Sequence, residues 1–557
     1  MKTSIPPSRP DELSTEQSSD RQRLVKCSGE FDLPGARDAS FAREYSARAL
    51  GDSRLSARAV AFANSAVQKA ECTLPTMAGG EGRAAGLYRY LANGNVTAPK
   101  LMQQHVEETC KRARQSSRTV LAVHDTTTMG YGIHTCRSGL GPIAGGGRGF
   151  LAHFSLAVEE ESRKPLGVLA CSTWVRPTDD AKPVKEGTTS GENGAAASAP
   201  EPSVSVGVSV AQADTKATAD KGPLPRYSRT RPKSDKRKKS RRQDDPENEA
   251  IRWTKQALEV RKLLQGLDII HVMDREGDSF AIIVGLLLAG ALFVIRSKDD
   301  RVLADGKRLF AQLDNLVCKA TRTVHINARA PAPSAKQRKT NPPREEREAE
   351  LHMSGGTFNI PRTSHAARSL PKSVKLNYVN VWEPNPPAGC EPISWRLMTH
   401  LPVDTPEQLL RVVDIYRVRW VIEDFNKAVK TGCSFVDHQL ESYAALCKLL
   451  ALLLPVAWRL LLLRHTADDE PYSPAEVILS KVEITILRAV HDREHPKSLL
   501  PQQPTVRDAM WAIARLGGHF RNNGRPGWLT MGRGMQRLLD IEAGIAAVTA
   551  AGLKSSA

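Results

Sequence analysis

The stretch Asp414-Ile415-Tyr416-Arg417-Val418-Arg419-Trp420-Val421-Ile422-Glu423-Asp424-Phe425-Asn426-Lys427-Ala428-Val429-Lys430 contains no Pro or Gly and reads as one helix. With Tyr416 set at zero on a wheel, Arg419 falls at roughly 300°, Glu423 at roughly 340° and Lys430 at roughly 320°. A phenol, a guanidinium, a carboxylate and an ammonium therefore share one narrow stripe. Ile415, Val418, Ile422, Phe425 and Val429 form the adjoining stripe, at the spacing of a core-facing helix. Taken alone, the polar stripe reads equally well as a solvated face with i,i+4 pairs. The flanking chain decides between these readings.

Working outward, Ile393 to Thr399 alternates like a strand leading into this helix. After it, Ala444 to Leu463 is an apolar run interrupted by Lys448, Pro455 and Arg459, which reads as a buried core helix and not a membrane span. Further upstream, Leu267 to Met273 reads as a strand with Asp274-Arg275-Glu276-Gly277-Asp278 at its C-terminal end. A helix over Ser279 to Leu288 and a strand over Leu292 to Ser297 follow, and another helix precedes it near Asn248 to Gln265. This β-α-β alternation implies parallel strands and an α/β fold class. Arg118 to Thr127 is a second buried strand, ending in Asp125-Thr126-Thr127. Phe150 to Val158 and Gly167 to Val175 look like a hairpin beside it. The Gly-rich stretch Gly139 to Gly149 lacks Gly-Lys-Ser/Thr, so it is a loop and not a phosphate-binding P-loop. Residues 300–392 mix short strands with Pro-, Arg- and Glu-rich loops.

Three acids stand out: Asp125 and Asp274 at strand ends, and Glu423 on the helix stripe. They are 274 − 125 = 149 and 423 − 274 = 149 residues apart, so only folding can gather them. Acids at the C-terminal ends of sheet strands lie where open α/β sheets place their sites. Grouped carboxylates repel unless cations sit among them, and hard oxygen donors favour Mg²⁺ or Mn²⁺. Two such ions, on the order of 3.5–4 Å apart, can hold the attacking and leaving oxygens of a phosphodiester in line. General acid–base catalysis alone supplies only about 10²–10⁴-fold, too little for slow phosphoester reactions.

The chain has 557 residues, enough for several domains, and a net charge of 79 − 61 = +18. A basic chain points to a polyanionic partner, nucleic acid first. Residues 221–242 alone hold eleven Lys/Arg against one Asp, so much of the excess sits in one segment. That segment closes a stretch over 177–247, rich in Ala, Ser, Gly, Thr and Pro before it turns basic, which reads as a disordered insertion with unspecific DNA affinity. Nine scattered cysteines show no CxxC pair or zinc spacing and fit a reducing cytoplasm. Residues 1–29 read as a disordered N-terminus without a signal peptide. Near Leu50-Gly51-Asp52-Ser53 a helix enters with Asp52 or Ser53 as N-cap, and Arg54 and Arg58 share one face, suited to phosphate contact. A second helix, from Gly86 to Leu91, ends at Asn93-Gly94.

Together, Asp125-Thr126-Thr127, Asp274-Arg275-Glu276 and the Tyr416-x2-Arg419-x3-Glu423-x6-Lys430 helix resemble the DDE cut-and-paste transposases of bacterial insertion sequences, in the Y-R-E-K branch of Tn-five type. Leu50-Gly51-Asp52, Tyr88-Arg89, Phe293-Val294-Ile295-Arg296-Ser297-Lys298, Trp395 and Ala512-Ile513-Ala514-Arg515-Leu516-Gly517-Gly518 fall in that family's order, from about residue 40 to the C-terminus. The resemblance implies an RNase H-like catalytic core over 99–465, with a β-rich insertion over 300–392. It implies a helical DNA-end-binding domain over 30–98 and a helical C-terminal dimerisation domain over 466–557. Asp125, Asp274 and Glu423 would be catalytic and bind two Mg²⁺, with Mn²⁺ as a substitute. Arg54, Arg58, Arg296, Trp395, Tyr416, Arg419 and Lys430 would contact DNA, with Trp395 beside a flipped base. The implied partners are double-stranded DNA, as element ends and target, and a second copy in a DNA-assembled homodimer. No membrane is involved, and the expected location is the cytoplasm, associated with the nucleoid. Arg275 and Glu276 also match the family without a clear role, and His124 and His153 read as structural. The long basic insertion departs from the family pattern. A nuclease without strand transfer and a decayed DNA-binding regulator of transposition are the competing readings.

Overall fold

A near-continuous apolar run in each central strand, buried on both faces, is what parallel strands under helices require, and the computed structural model has that arrangement. It describes residues 42–68, 73–78, 80–116, 119–177, 249–326, 328–329, 342–364, 366–477, 479–520 and 526–550. The segment 1–29 and all but the first residue of 177–247 lie outside the described residues. The strands are β1 (Thr119–Gly130), β2 (Gly141–Pro142), β3 (Arg148–Glu159), β4 (Pro165–Trp174), β5 (Asp268–Met273), β6 (Leu292–Arg296), β7 (Ala320–Ile326), β8 (Arg347–Pro361), β9 (Ser373–Trp382) and β10 (Ser394–Thr399). The longer helices are α1 (Ser53–Gln68), α2 (Glu81–Ala92), α3 (Ala98–Ser116), α4 (Glu249–Leu263), α5 (Phe280–Leu288), α6 (Pro406–Arg417), α7 (Trp420–Lys427), α8 (Tyr443–Asp469), α9 (Lys481–Glu494), α10 (Val506–Leu516) and α11 (Trp528–Ala550).

All ten strands join one mixed sheet in the order β2-β3-β1-β5-β6-β10-β9-β8-β7, with β4 on β3. β1, β5 and β6 are parallel, and every other pairing is antiparallel. The β-rich segment over 300–392 thus extends the central sheet. Its strands are not all short, since β8 has fifteen residues. Gly355 and Gly356 in β8 mask the strand signal. A Cβ on Gly355 would stand 2.5 Å from the Val403 carbonyl and 2.6 Å from the Leu409 side chain, so the strand needs glycine where the chain entering α6 crosses it. β1 also differs from expectation: it runs past Asp125 to Gly130, because β3 pairs with it to the end. The Gly-rich loop gains the two-residue β2.

The 414–430 stretch is not one uniform helix. α6 starts earlier, at a Thr405–Gln408 capping box with Pro406 in its first turn. At Val418 and Arg419 the backbone stays helical but tightens, with the Val418 N–H bonding Ile415 O at 3.2 Å and the Arg419 N–H bonding Tyr416 O at 3.0 Å. After α7 it widens into a π-helical turn over Ala428–Gly432. Ile415, Val418, Ile422, Phe425 and Val429 are all buried, as their spacing predicts.

α8 is long and apolar enough to cross a membrane, and 71% of its apolar window is buried inside the molecule. The helices before β1 dock against it. The Tyr45 hydroxyl donates to Leu452 O at 2.7 Å, and Lys448 donates to Leu91 O at 2.9 Å and Asn93 O at 2.8 Å, just past the end of α2. At the other end, α9, α10 and α11 share a separate apolar cluster. A Cβ on Gly517 would meet Thr530 O at 2.0 Å, and one on Gly534 would meet Ile513 O at 1.8 Å. The small-residue segment therefore lets α11 pack directly on the α10 backbone.

Candidate active site

The parallel β1–β5 ladder pairs Val123 with Val272. Two residues further along each strand stand Asp125 and Asp274, at one level and of the same strand parity. Asp125 sits mid-strand in β1, not at its end, but beyond the last β5 partner, so the two acids still meet at the C-terminal edge of the parallel ladder. Asp274 caps the short turn after β5 by accepting the Glu276 N–H at 2.7 Å. Burial, followed by repulsion from Asp274, pushes the Asp125 carboxyl up to about 7, against the pull of Arg419. Behind it, His124 Nε2 meets His271 Nδ1 at 2.9 Å and His124 Nδ1 meets the Ser155 hydroxyl at 2.8 Å. His153 meets the Thr126 hydroxyl at 2.9 Å. These imidazoles are buried and pushed down in pKa by desolvation, so they are neutral framework, as expected for His124 and His153.

Across from the strands, α7 delivers Glu423, and the tight turn before it delivers Arg419. Arg419 is only 7% exposed. Its Nη2 donates to Glu423 Oε1 at 2.7 Å, and its guanidinium lies 4.6 Å from the Trp420 ring centroid. Tyr416 is buried, its hydroxyl pushed up by desolvation while Arg419 and Arg296 oppose the shift. Trp395, half-buried on β10, packs edge-on against the Tyr416 ring with centroids 5.9 Å apart. Lys430, in the π-helical turn, is half-buried and lowered by desolvation while the Asp125 charge opposes. Asp125, Asp274, Tyr416, Arg419, Lys430, Arg296 and Trp395 thus form one neighbourhood. Arg54 and Arg58 lie elsewhere, exposed on α1. Asp52 is the N-cap that accepts the Arg54 N–H at 2.8 Å, and its carboxylate also holds the Arg54 guanidinium at 3.1 Å.

Asn426 was not singled out from the sequence. Its amide donates to Asp125 Oδ2 at 2.7 Å and ties α7 to β1. On the wheel above it falls at roughly 280°, at the border between the apolar and polar stripes, so the signal was weak. Exposed Trp420, covered on one face by Arg419, was also passed over.

Glu423 lies one helical turn from Asn426 and is engaged by Arg419. Among the described residues, no group of three or more His, Cys, Asp or Glu side chains stands close enough to hold a metal ion together. The Asp125–Asp274 pair nonetheless fits a hard divalent cation in donor type and charge. Its oxygens carry repulsion that the raised Asp125 carboxyl registers.

Residues 38–96 match the family model described as transposase DNA-binding. The match takes in α1 and α2 and the exposed Arg54 and Arg58. It supports a DNA-binding transposase with DNA as its partner, built on a mixed α/β sheet.

Proposed function

We propose that this chain is a DDE transposase of the Y-R-E-K branch, which cuts at the ends of an insertion sequence and joins them to target DNA. The observation that carries the reading is the placement of Asp125 and Asp274 side by side at the edge of the parallel ladder, opposite a helix stripe of Tyr416, Arg419, Glu423 and Lys430. The transposase DNA-binding match upstream supports it. Asp125 and Asp274 would hold Mg²⁺, or Mn²⁺ in its place, and Glu423 would complete the set only once released from Arg419. When bound, such ions neutralise phosphate charge and activate the attacking oxygen. The protein's own groups position the strand. Arg419, Arg296 and Lys430 pair with phosphate oxygens, guanidinium forks being suited to two oxygens at once. The Tyr416 hydroxyl, among these cations, adds a hydrogen bond. Trp395 offers a ring edge to an unstacked base when the end folds into a hairpin. Nicking, hairpin formation, hairpin opening and strand joining are one in-line transfer with different nucleophiles, so one site serves all four. Two copies assemble on paired ends, with the C-terminal helices as the contact.

The test is a gel assay of purified protein with Mg²⁺ on DNA flanking its own gene, beside Glu423→Ala. Nicks followed by hairpins at the element ends, absent in the variant, are the expected result. Random cleavage without joined products would replace this reading with a nuclease, and binding without cleavage would replace it with a regulator.

A further inference from the structure

A cavity of about 200 Å³ opens beside the end of β6, beyond the acids. By the same measure a single water needs only on the order of 10–15 Å³. Four cations line it: Arg275 after β5, Arg296 at the end of β6, Lys298 just beyond it, and Arg396 on β10. Phe310 forms part of the wall, with the Arg396 guanidinium 4.3 Å from its ring centroid. Two acids offset these charges. Asp314 accepts from Arg396 at 3.0 and 3.1 Å, and Glu276 lies within electrostatic reach of Lys298. Among the described residues, Arg275, Arg296 and Lys298 have no carboxylate within ion-pair distance. Four cations against two acids leave a surplus of two. Arg296 is half-buried, and both Arg275 and Arg419 press like charge upon it. The lining is held in place from behind. The buried Asp278 carboxylate accepts the Lys298 N–H at 2.5 Å, the Asp299 N–H at 3.1 Å and the buried Arg301 guanidinium, fixing the loop that carries Lys298.

We propose that this cavity is a subsite for the terminal 5′-phosphate of a DNA strand. An internal phosphodiester carries one negative charge, whereas a terminal phosphomonoester carries close to two at neutral pH and presents three acceptor oxygens. That charge matches the surplus in the cavity, and guanidinium groups suit those oxygens. The proposal rests on the phosphoryl-transfer reading, which supplies the ligand. When water adds to the phosphorus of a diester, the bond to the 3′ oxygen breaks and that oxygen takes a proton. The phosphate remains on the 5′ carbon of the other fragment.

The test measures full-length protein by fluorescence anisotropy, without divalent cations, on two otherwise identical duplexes. One carries a 5′-phosphate at a recessed end and the other a 5′-hydroxyl. Wild type binds the phosphorylated duplex about tenfold more tightly. Arg275→Ala and Arg396→Ala each shrink that ratio, and together they bring it to unity. Arg275 is exposed and has no ion-pair partner among the described residues, so its variant reads the cavity even if Arg396→Ala unsettles β10. Equal wild-type affinity for the two duplexes overturns the proposal, as does a double variant that keeps the ratio. Inorganic phosphate separates the sources: if it displaces the phosphorylated duplex at equal concentration, the cavity takes free phosphate and the strand-end assignment falls. A phosphate preference in a chain that never cleaves DNA keeps the subsite and removes only the reaction.

Discussion

At the junction of the N-terminal helices with α3, buried Glu44 meets Arg112 Nη1 at 3.0 Å and His105 Nδ1 at 2.5 Å. Beyond the end of the β1–β5 ladder, Asp125 meets Asp274, and among the described residues neither has a cation within ion-pair distance. In the first cluster every charge is answered. His105 Nε2 accepts the Val168 N–H at 3.0 Å, which leaves Nδ1–H to donate to Glu44 and keeps the ring neutral. Arg112 also donates to Leu166 O at 2.7 Å and lies over the Trp458 ring. Although burial alone would raise Glu44, His105 and Arg112 bring its carboxyl down to about 2. Burial likewise raises Asp125, but there a second acid adds to the rise. Charges that hold the domains together carry their partners within the chain. Charges left unanswered are available to a ligand.

The largest effect expected from that contrast is on chemistry. Asp125→Ala or Asp274→Ala should lower Mg²⁺-dependent strand cleavage by at least about 10³-fold, since the transferred phosphate then loses its principal electrostatic support. Binding to element ends should persist, because the 38–96 match takes in α1 and α2 and neither acid. Cleavage gels and mobility shifts read the two effects, and retained cleavage in either variant would remove these acids from the reaction. The opposite cluster should respond in the opposite currency. Glu44→Gln leaves Arg112 buried without its charge partner and should cost about 3–5 kcal/mol in urea unfolding. A loss below about 1 kcal/mol would mean that the junction is not held by this pair.

Much of this was legible in advance, because periodicity encodes local structure well. Leu267 to Ser297 gave the β-α-β unit, and apolar runs ending in Asp125 and Asp274 gave two acids at strand ends, although their common level, with Asp125 in mid-strand, came only from the sheet register. Other features arise only when distant segments meet. Arg396 and Phe310 come from β10 and from the short helix Leu309–Asp314, 396 − 310 = 86 residues earlier, so no local pattern marks their cavity. The Glu44–His105 contact is likewise tertiary. The tightening at Arg419 and the π-helical turn at Lys430 also escape the wheel, which assumes a uniform helix. Glu423 illustrates the limit. Its place on the stripe was readable, and so was an i,i+4 pair with Arg419, found at 2.7 Å, but not which of the two readings of the stripe the fold selects.

A subtler contrast concerns pH. Asp125 titrates near 7 when folded and near about 4 when unfolded. Between those values the unfolded chain has released a proton that the folded chain still holds. Stability should therefore fall as pH rises from about 4 to about 7 and level off above. Urea midpoints across that window should lose this component in Asp125→Asn. At pH 8, Mg²⁺ should raise the wild-type melting temperature more than that of Asp125→Asn, because an ion relieves only a repulsion that is present. Equal shifts in the two proteins would assign Mg²⁺ to another site.

The smallest expected effect falls on Trp395, which belongs partly to each kind of region. Its ring packs on Tyr416 like a core residue, yet it stays half-buried at the edge of the site. If it only fills space, Trp395→Ala should depress nicking and hairpin formation together, in step with lost stability. If it also holds an unstacked base, the first nick should survive and hairpin yield should fall by about tenfold, the scale of one lost base–aromatic contact. Trp395→Phe separates the two further, since a smaller aromatic keeps a stacking face while giving up part of the packing. Hairpin yield restored by Phe, with stability still reduced, would place the ring in the binding of DNA. Restored stability without hairpins would return it to the core.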